Sequence, residues 1–261
     1  MRDNIIWGYY GYYGLAKRRI YAVMGAILGI MPFLRAMANY PIRGYLPFKH
    51  PDPDALLVDV GCGKGDYLQN LRALGWKVKG IEPDPAGAEI AGKRGISVYN
   101  GTLLQAQLPA ESVDYVTLMH VIEHVLDPRE LIRECLRIIK KGGVLVMRTP
   151  NAQSLGHMFF KQNFYHLDPP RHVFVFTPQS IRLLLEQCGA QEIKIKTLSL
   201  SAHSVYDNGV LIAKNGKTER AGVPSQRGRT GFRVLETLLC NLGFACGEEI
   251  EVIVHKPENK A

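Results

Sequence analysis

Residues 55–66 read ALLVDVGCGKGD, an apolar run that ends in a glycine-rich turn. The run at 55–60 is typical of a buried parallel strand, and apolar residues then continue at helical spacing as far as Gly75. A glycine turn between a strand and a helix lets backbone N–H groups approach a ligand closely. The dinucleotide fingerprint G-x-G-x-x-G requires a third glycine at position 66, but Asp66 stands there. The spacing is G-x-G-x-G instead.

A second predicted strand, residues 78–81, ends in the sequence Glu82-Pro-Asp84-Pro85. An acidic side chain at the end of strand two, about 20 residues past the first glycine, is placed to accept hydrogen bonds from both hydroxyls of a ribose. Asp84 and Pro85 suit the N-cap and the first position of the following helix. The sequence therefore predicts Glu82 as the ribose ligand and a structural role for Asp84.

Four stretches follow one another along the chain: VDVGCGKG (58–65), IEPD (81–84), VDYVTLMHVIEH (113–124) and IIKKGGVLVMRTP (138–150). Together they resemble the motifs of the class I S-adenosylmethionine-dependent methyltransferases, and the resemblance covers about residues 50–198. It implies an α/β fold with a doubly wound, Rossmann-like seven-stranded sheet whose last strand, near 249–255, is antiparallel. It also implies S-adenosylmethionine as the cofactor.

The same resemblance, carried over position by position, implies a cofactor site. Asp59 would lie beneath the methionine end of the cofactor, Glu82 would hold the ribose, and the residues around Thr102 would flank the adenine. An acidic residue is common at the position of Thr102 in the family, but a threonine hydroxyl can still accept one hydrogen bond. The complete set of predicted cofactor-binding residues is Asp59, Gly61, Cys62, Gly63, Gly65, Glu82, Thr102, Leu103, Met119 and His120.

Residues 120–124, HVIEH, match the H-x-x-E-H signature of inverted zinc proteases. That signature needs a helix, whereas here it follows a predicted buried strand at 113–119 and precedes a helix that Asp127 opens, so it lies in a loop. In the ubiquinone-biosynthesis O-methyltransferases, which this part resembles, a glutamate–histidine pair helps to hold a divalent ion. The sequence shows no further acidic ligand. We therefore favour hydrogen-bonding roles for Glu123 and His124, keep a divalent-ion site as the alternative, and assign no metal ligands.

The acceptor side is predicted in residues 164–178, FYHLDPPRHVFVFTP, an insertion that precedes a helix at 177–188. His172 is the candidate general base, because an imidazole titrates near working pH, and His124 is the second catalytic candidate. The alternative for His172 is a loop histidine that bonds a backbone carbonyl. Residues 207–233, rich in Gly, Ser, Lys and Arg, are interpreted as a mobile connection or a basic lip.

The N-terminal residues 1–50 differ in composition from the methyltransferase domain assigned to residues 51–261. The apolar run 22–34 is shorter than the roughly 20 residues that span a bilayer, and Arg35 and the long leading stretch argue against a signal peptide. Two interpretations stay open, a helical cap on the domain or a helix at the membrane surface.

Composition excludes several classes of protein. The 261 residues are 46% hydrophobic, which argues against disorder, and the five scattered cysteines argue against a disulfide scaffold and for a reduced, cytoplasmic protein. The net charge of +8 suits an anionic partner, but no nucleic-acid module accompanies it.

The function expected from these features is methyl transfer from S-adenosylmethionine to an oxygen of a small molecule, such as a quinone, lipid or glycan precursor. The alternatives are a protein or nucleic-acid methyltransferase and a non-catalytic cofactor-binding subunit. Beyond the small-molecule acceptor, the sequence argues against a nucleic-acid partner and leaves open a peripheral membrane contact through residues 1–38.

Overall fold

The structure is a computed structural model, and it describes residues 54–199, 201–218 and 226–258, without the side chains of residues 226 and 227. The predicted N-terminal cap or membrane-surface segment, residues 1–50, lies outside the described residues. Seven strands form one sheet in the order β3-β2-β1-β4-β5-β7-β6. The last strand, β7, pairs antiparallel with both β5 and β6. The predicted fold class is confirmed.

Strands and helices alternate along most of the chain, as a doubly wound fold requires. The strands are β1 Leu56–Val60, β2 Lys77–Glu82, β3 Ser97–Asn100, β4 Val113–Met119, β5 Ile139–Pro150, β6 Ile193–Leu198 and β7 Glu249–His255. The helices are α1 Asp66–Ala73, α2 Pro85–Lys93, α3 Leu103–Ala106, α4 Pro128–Ile138, α5 Leu155–Phe160, α6 Pro178–Gln187, α7 Ala202–Asn215 and α8 Gln226–Asn241, with 3-10 turns at Lys161–Asn163 and Tyr165–Leu167.

The chain divides into two compact units after Ala106. In the first unit β1, β2 and β3 are parallel, with Val58 opposite Lys79 and Lys79 opposite Ser97. Asp84 caps α2 as predicted, because its carboxylate accepts hydrogen bonds from the first backbone N–H groups of that helix. The chain consequently leaves β2 through a short, well-defined turn.

The second unit holds β4 and β5 as a parallel pair and β7 antiparallel between β5 and β6. Asp127 caps α4, and Pro128 occupies its first turn as predicted. Helix α4 buries an apolar stripe that includes Ile132 and Ile138, while its arginines and glutamates lie on the other face. This packing fixes the loop between β4 and α4, which carries the histidine motif.

Of the two interpretations of residues 207–233, the mobile connection is wrong for most of its length, and the basic lip stays a prediction. Helix α7 covers its first part and helix α8 its last part. The sequence of this stretch has little helical periodicity, but tertiary packing stabilises α7, because its Val205 is fully buried in a cluster with Phe160 and Phe164. Gly209 faces the ring of Phe160 so closely that a Cβ atom there would lie 2.7 Å from it. Among the described residues no helix combines the length and apolar character needed to cross a bilayer.

Candidate cofactor and acceptor sites

The turn after β1 is built from glycines in left-handed backbone conformations. Gly61, Gly63 and Gly65 have φ values of 73°, 53° and 77°, which side chains other than glycine rarely adopt. A Cβ atom on Gly63 would meet nothing within 4 Å, whereas one on Gly65 would lie 3.0 Å from the side chain of Ala91. Gly63 therefore leaves an open backbone surface, and Gly65 allows α1 and α2 to pack closely.

Glu82 fastens this turn to the end of β2. Its side chain is 7% exposed, and Oε2 accepts a hydrogen bond of 2.6 Å from the backbone N–H of Gly63. Oε1 accepts a second bond of 2.8 Å from the N–H of Asp84. A carboxylate has about four lone-pair positions, so each oxygen retains one that can accept a ribose hydroxyl. The geometry fits the predicted ribose ligand and adds a structural role that the sequence did not reveal.

The side chains of Asp59 and Cys62, which are also predicted to contact the cofactor, are buried. Asp59 is 3% exposed and Cys62 is 7% exposed. Burial, followed by the charges of Asp59 and Glu82, raises the pKa of the Cys62 thiol to about 12. Cys62 therefore remains a neutral thiol and is not a nucleophile. Its Sγ packs against Gly80, where a Cβ atom would lie 2.5 Å away.

The residues predicted to flank the adenine form the start of α3. The Thr102 hydroxyl accepts a 3.3 Å hydrogen bond from the N–H of Gln105, and the N–H of Thr102 donates to Gln105 Oε1 at 2.8 Å. Leu103 is 1% exposed and belongs to the core of the first unit. Thr102 thus caps the helix with its hydroxyl, and the side chain of Leu103 is part of the core.

In the second unit the histidine motif lies in the turn after β4, as predicted, and not on a helix. His120 has a φ of 57°, and its N–H donates to the carbonyl of Arg148 at 2.9 Å. Its Nδ1 lies 3.3 Å from Glu123 Oε1, and its Nε2 lies 3.7 Å from Glu249 Oε1. The imidazole of His120 is therefore held between two carboxylates.

The charges of His120 and Glu123 stabilise each other. Partial desolvation acts to lower the pKa of His120, but Glu123 and Glu249 outweigh it and raise that pKa above its ordinary value. Burial acts to raise the pKa of Glu123, but His120, a backbone N–H and the Thr149 hydroxyl lower it overall. The Thr149 hydroxyl donates to Glu123 Oε2 at 3.0 Å. Glu123 is therefore a carboxylate although its side chain is fully buried.

The predicted acceptor loop, residues 164–178, is attached to the β4–α4 turn. The carbonyl of Glu123 accepts hydrogen bonds from the N–H groups of Val173 at 2.8 Å and Phe174 at 3.2 Å. This attachment brings together the two predicted catalytic histidines, His124 and His172, whose ring centroids are 4.7 Å apart.

Each of these imidazoles is oriented by a backbone carbonyl. Nδ1 of His124 lies 2.9 Å from the carbonyl of Arg171, and Nδ1 of His172 lies 2.7 Å from that of His166. A carbonyl oxygen only accepts hydrogen bonds, so Nδ1 of each ring is the donor in its contact. The alternative considered for His172, a bond to a backbone carbonyl, is therefore present, and it leaves the other ring nitrogen available for chemistry.

Two polar residues near these histidines, Glu249 and His166, were not predicted from the sequence. Glu249 on β7 accepts a 3.0 Å hydrogen bond from the Ser201 hydroxyl and faces His120. Burial, with smaller effects from neighbouring groups, lowers the pKa of His166 to about 4, so its imidazole is neutral. The sequence signal that could have revealed Glu249 is the run Glu248-Glu249-Ile-Glu251, which leads into the mainly apolar strand β7.

Comparison with known proteins assigns the family. The sequence profile described as "Methyltransferase domain" matches residues 33–194, more than half of the chain. The chain belongs to this methyltransferase family. This confirms the resemblance to the S-adenosylmethionine-dependent methyltransferases, the expectation of a methyltransferase enzyme and the expected cofactor.

Relatives of this methyltransferase match it over part of their length. A protein of Hahella chejuensis named "Ubiquinone biosynthesis O-methyltransferase" is 35% identical over 114 residues, which are 41% of this chain and 48% of that protein. One of the same name from Xanthomonas oryzae is 38% identical over 104 residues, 37% of this chain and 44% of that protein. The matched region thus spans about half the length of these curated relatives, or slightly less.

A solved structure shares the fold of this methyltransferase. A "SAM dependent methyltransferase from Archaeoglobus fulgidus" superposes with a TM-score of 0.52 at 22% sequence identity, covering 77% of this chain and 85% of that one. At this level of identity the likeness shows the fold alone.

Proposed function

We propose that this methyltransferase transfers a methyl group from S-adenosylmethionine to an oxygen atom of a small molecule of the quinone, lipid or glycan-precursor class. The observation that carries the proposal is the carboxylate of Glu82, which lies at the open glycine turn with lone pairs remaining on both oxygens. The names of the relatives from Hahella and Xanthomonas support an oxygen acceptor.

The residues of the first unit account for cofactor binding. When bound, S-adenosylmethionine supplies an electrophilic methyl group on a positively charged sulfur. Glu82 would accept hydrogen bonds from the ribose, and the exposed backbone at Gly63 would admit the cofactor without steric conflict. The buried carboxylate of Asp59 would lie beneath its methionine end.

The residues of the second unit account for the acceptor. Transfer forms a carbon–oxygen bond, breaks the carbon–sulfur bond with its electron pair left on sulfur, and releases the hydroxyl proton. Nε2 of His172 or of His124 would take that proton, because Nδ1 of each ring is already engaged with a backbone carbonyl. The chain mainly needs to hold the acceptor oxygen in line with the methyl carbon, since positioning dominates such displacements.

The setting of the enzyme belongs to the same proposal. We place it in the cytoplasm with a small-molecule acceptor, and we keep peripheral membrane contact through residues 1–38 as the alternative to a cap.

The test is calorimetric titration of the full chain with S-adenosylmethionine and, separately, with NAD, followed by a screen of acceptors with labelled methyl donor. We expect micromolar binding of the first compound, none of the second, and label in hydroxyl-bearing small molecules. Label in a protein or nucleic acid would instead show that the acceptor is a macromolecule and not a small molecule. Binding without turnover on any acceptor would support a non-catalytic subunit, and no binding would overturn the proposal.

A further inference from the structure

We propose that one side of helix α8 is a dimerisation surface, on which a second copy of this chain packs its own α8 in the antiparallel direction. Helix α8 buries Phe232 and Glu236 within the second unit. Its other side carries Val234, Leu235 and Leu238, each about half exposed. We call this side the outward face, and it consists of residues 231, 234, 235, 238, 241 and 242.

The outward face lacks the charged residues that a solvent-facing helix surface normally carries. Its six positions hold Gly, Val, Leu, Leu, Asn and Leu in that order. At 100° per residue, the charged side chains of α8 that follow Gly228 lie on other sides of the helix. Among them, Arg229 pairs with Asp207 at 3.2 Å, and Glu236 is fully buried. The helix therefore has two apolar sides, and only one of them is covered within the second unit.

Two aromatic side chains enlarge this apolar surface. Phe244 directly follows the helix and is exposed, and its N–H donates to the carbonyl of Leu239 at 3.0 Å, which fixes its backbone. Phe159 of α5 is also exposed, and its ring centroid lies 6.1 Å from that of Phe232.

The area of the surface suffices for a stable dimer. The two phenylalanines and the four apolar side chains of the outward face each expose roughly 100 Å², which gives about 600 Å² of apolar surface per copy. A standard interface buries about 800 Å² per partner, and about two thirds of that area is apolar in homodimers. Exposed apolar patches of several hundred Å² mark interaction sites on soluble proteins.

The spacing of the outward face is that of a seam between two helices. Gly231, Leu235, Leu238 and Leu242 recur at intervals of four, three and four residues, a period of 3.5. The N–H of Leu242 donates to the carbonyl of Leu238 at 3.0 Å, so the helical spiral continues as far as Leu242. In an antiparallel pair with two-fold symmetry, Leu235 then faces the partner's Leu238, and Leu242 faces the partner's Gly231.

The pairing of Leu242 with the partner's Gly231 is sterically complementary. Leu242 is 74% exposed, and a Cβ atom added to Gly231 would meet nothing within 4 Å. The most prominent side chain of the outward face thus lies opposite its most open position, and a two-fold interface makes this contact twice. A lipid surface would require neither the 3.5-residue period nor a large side chain opposite a small one. These two features favour a second copy of the chain as the occupant.

The first experiment is sedimentation velocity of the full chain from low to high micromolar concentration, and it stands independently of the methyl acceptor. We expect a dimer. Leu238→Glu places a charge at the centre of the seam in both copies and should weaken association by about 100-fold or more. Leu183→Glu is the matched control, because Leu183 is a similarly exposed leucine of helix α6, outside the outward face. The control should dimerise as the wild type does.

The second experiment tests the antiparallel register by cross-linking with a short bifunctional thiol reagent. Gly231→Cys and Leu242→Cys proteins, when mixed, should form a cross-linked pair of one copy of each. Neither variant alone should cross-link above the wild-type background, because its two new cysteines would lie about 16 Å apart along the seam. Cross-linking of Leu242→Cys alone would indicate a parallel pair and refute the proposed register.

Other results would overturn the dimerisation surface itself. A monomer at every concentration, a dimer unaffected by Leu238→Glu, or an equal loss in Leu183→Glu would each do so. A monomer whose binding to anionic phospholipid vesicles is lost in Leu238→Glu would assign the outward face to a membrane instead. If Leu238→Glu fails to fold, the mixed cross-link decides, since its absence refutes the surface.

Discussion

Replacing Glu82 by alanine should weaken the binding of S-adenosylmethionine by about 1–3 kcal/mol, or roughly five- to 150-fold. The carboxylate is 7% exposed and would accept hydrogen bonds from the ribose on oxygens that already accept from Gly63 at 2.6 Å and Asp84 at 2.8 Å. Hydrogen bonds to a charged, buried acceptor are stronger than those between neutral groups. The loss of the ribose contacts sets the lower part of the range, and relaxation of the glycine turn adds to it.

The same change should lower the free energy of unfolding. Two backbone N–H groups lose their acceptor, and each group left without one costs up to about 1–3 kcal/mol. Glu82→Gln should resemble the alanine variant more than the wild type. Its amide offers one oxygen to two N–H donors, so its NH2 group must face either Gly63 or Asp84.

The assay is calorimetric titration with S-adenosylmethionine at a temperature where thermal unfolding shows every variant to be folded. Asp84→Asn is the matched control, because Asp84 caps α2 through Ala86 and Gly87 and asparagine caps equally well. The control should bind as the wild type does. An affinity of folded Glu82→Ala within twofold of the wild type would refute the ribose assignment, as would an equal loss in Asp84→Asn.

Three further predictions concern other parts of the chain. His172→Ala should reduce turnover by about 10²-fold or more with unchanged cofactor affinity, and equal losses in turnover and affinity would demote His172 to a structural role. Burial and the neighbouring Glu236 raise the pKa of Glu248 well above its ordinary value, so this group favours the folded state below pH 4.5 and loses that contribution as pH rises through the raised pKa. Denaturant unfolding of Glu248→Gln should therefore lose less stability between pH 5 and 8 than the wild type, and parallel curves would contradict this. Deletion of residues 1–38 should abolish folding or activity in detergent-free buffer, whereas loss of liposome binding alone would favour a membrane anchor.

Strands and helices with strong local patterns were predictable from the sequence. The predicted strand at 113–119 and the antiparallel strand at 249–255 have the bounds observed. The caps at Asp84 and Asp127 were also predictable, because a cap depends only on residues within one turn. Helix α7 was not, since its stability comes from packing on Phe160 and Phe164, which lie far away in the sequence.

The candidate sites follow the same division. The sequence identified the glycine turn and Glu82 as separate motifs. It did not predict the hydrogen bond between Glu82 and Gly63, because that contact depends on the parallel register of β1 and β2. The proximity of His124 and His172 depends on backbone bonds from Val173 and Phe174 to Glu123, groups that every residue carries. Backbone hydrogen bonds do not require a particular side chain, so a sequence pattern cannot reveal them.

The two N–H groups that share the Glu123 carbonyl also restrict how this enzyme can diversify. A loop attached only by its two ends can be exchanged between homologous proteins as a separate module. Residues 164–178 are instead attached at their middle to the turn that carries His124. A chimera intended to change acceptor preference must therefore transplant both segments as one cassette, and single-segment grafts should lose the alignment of the two imidazoles.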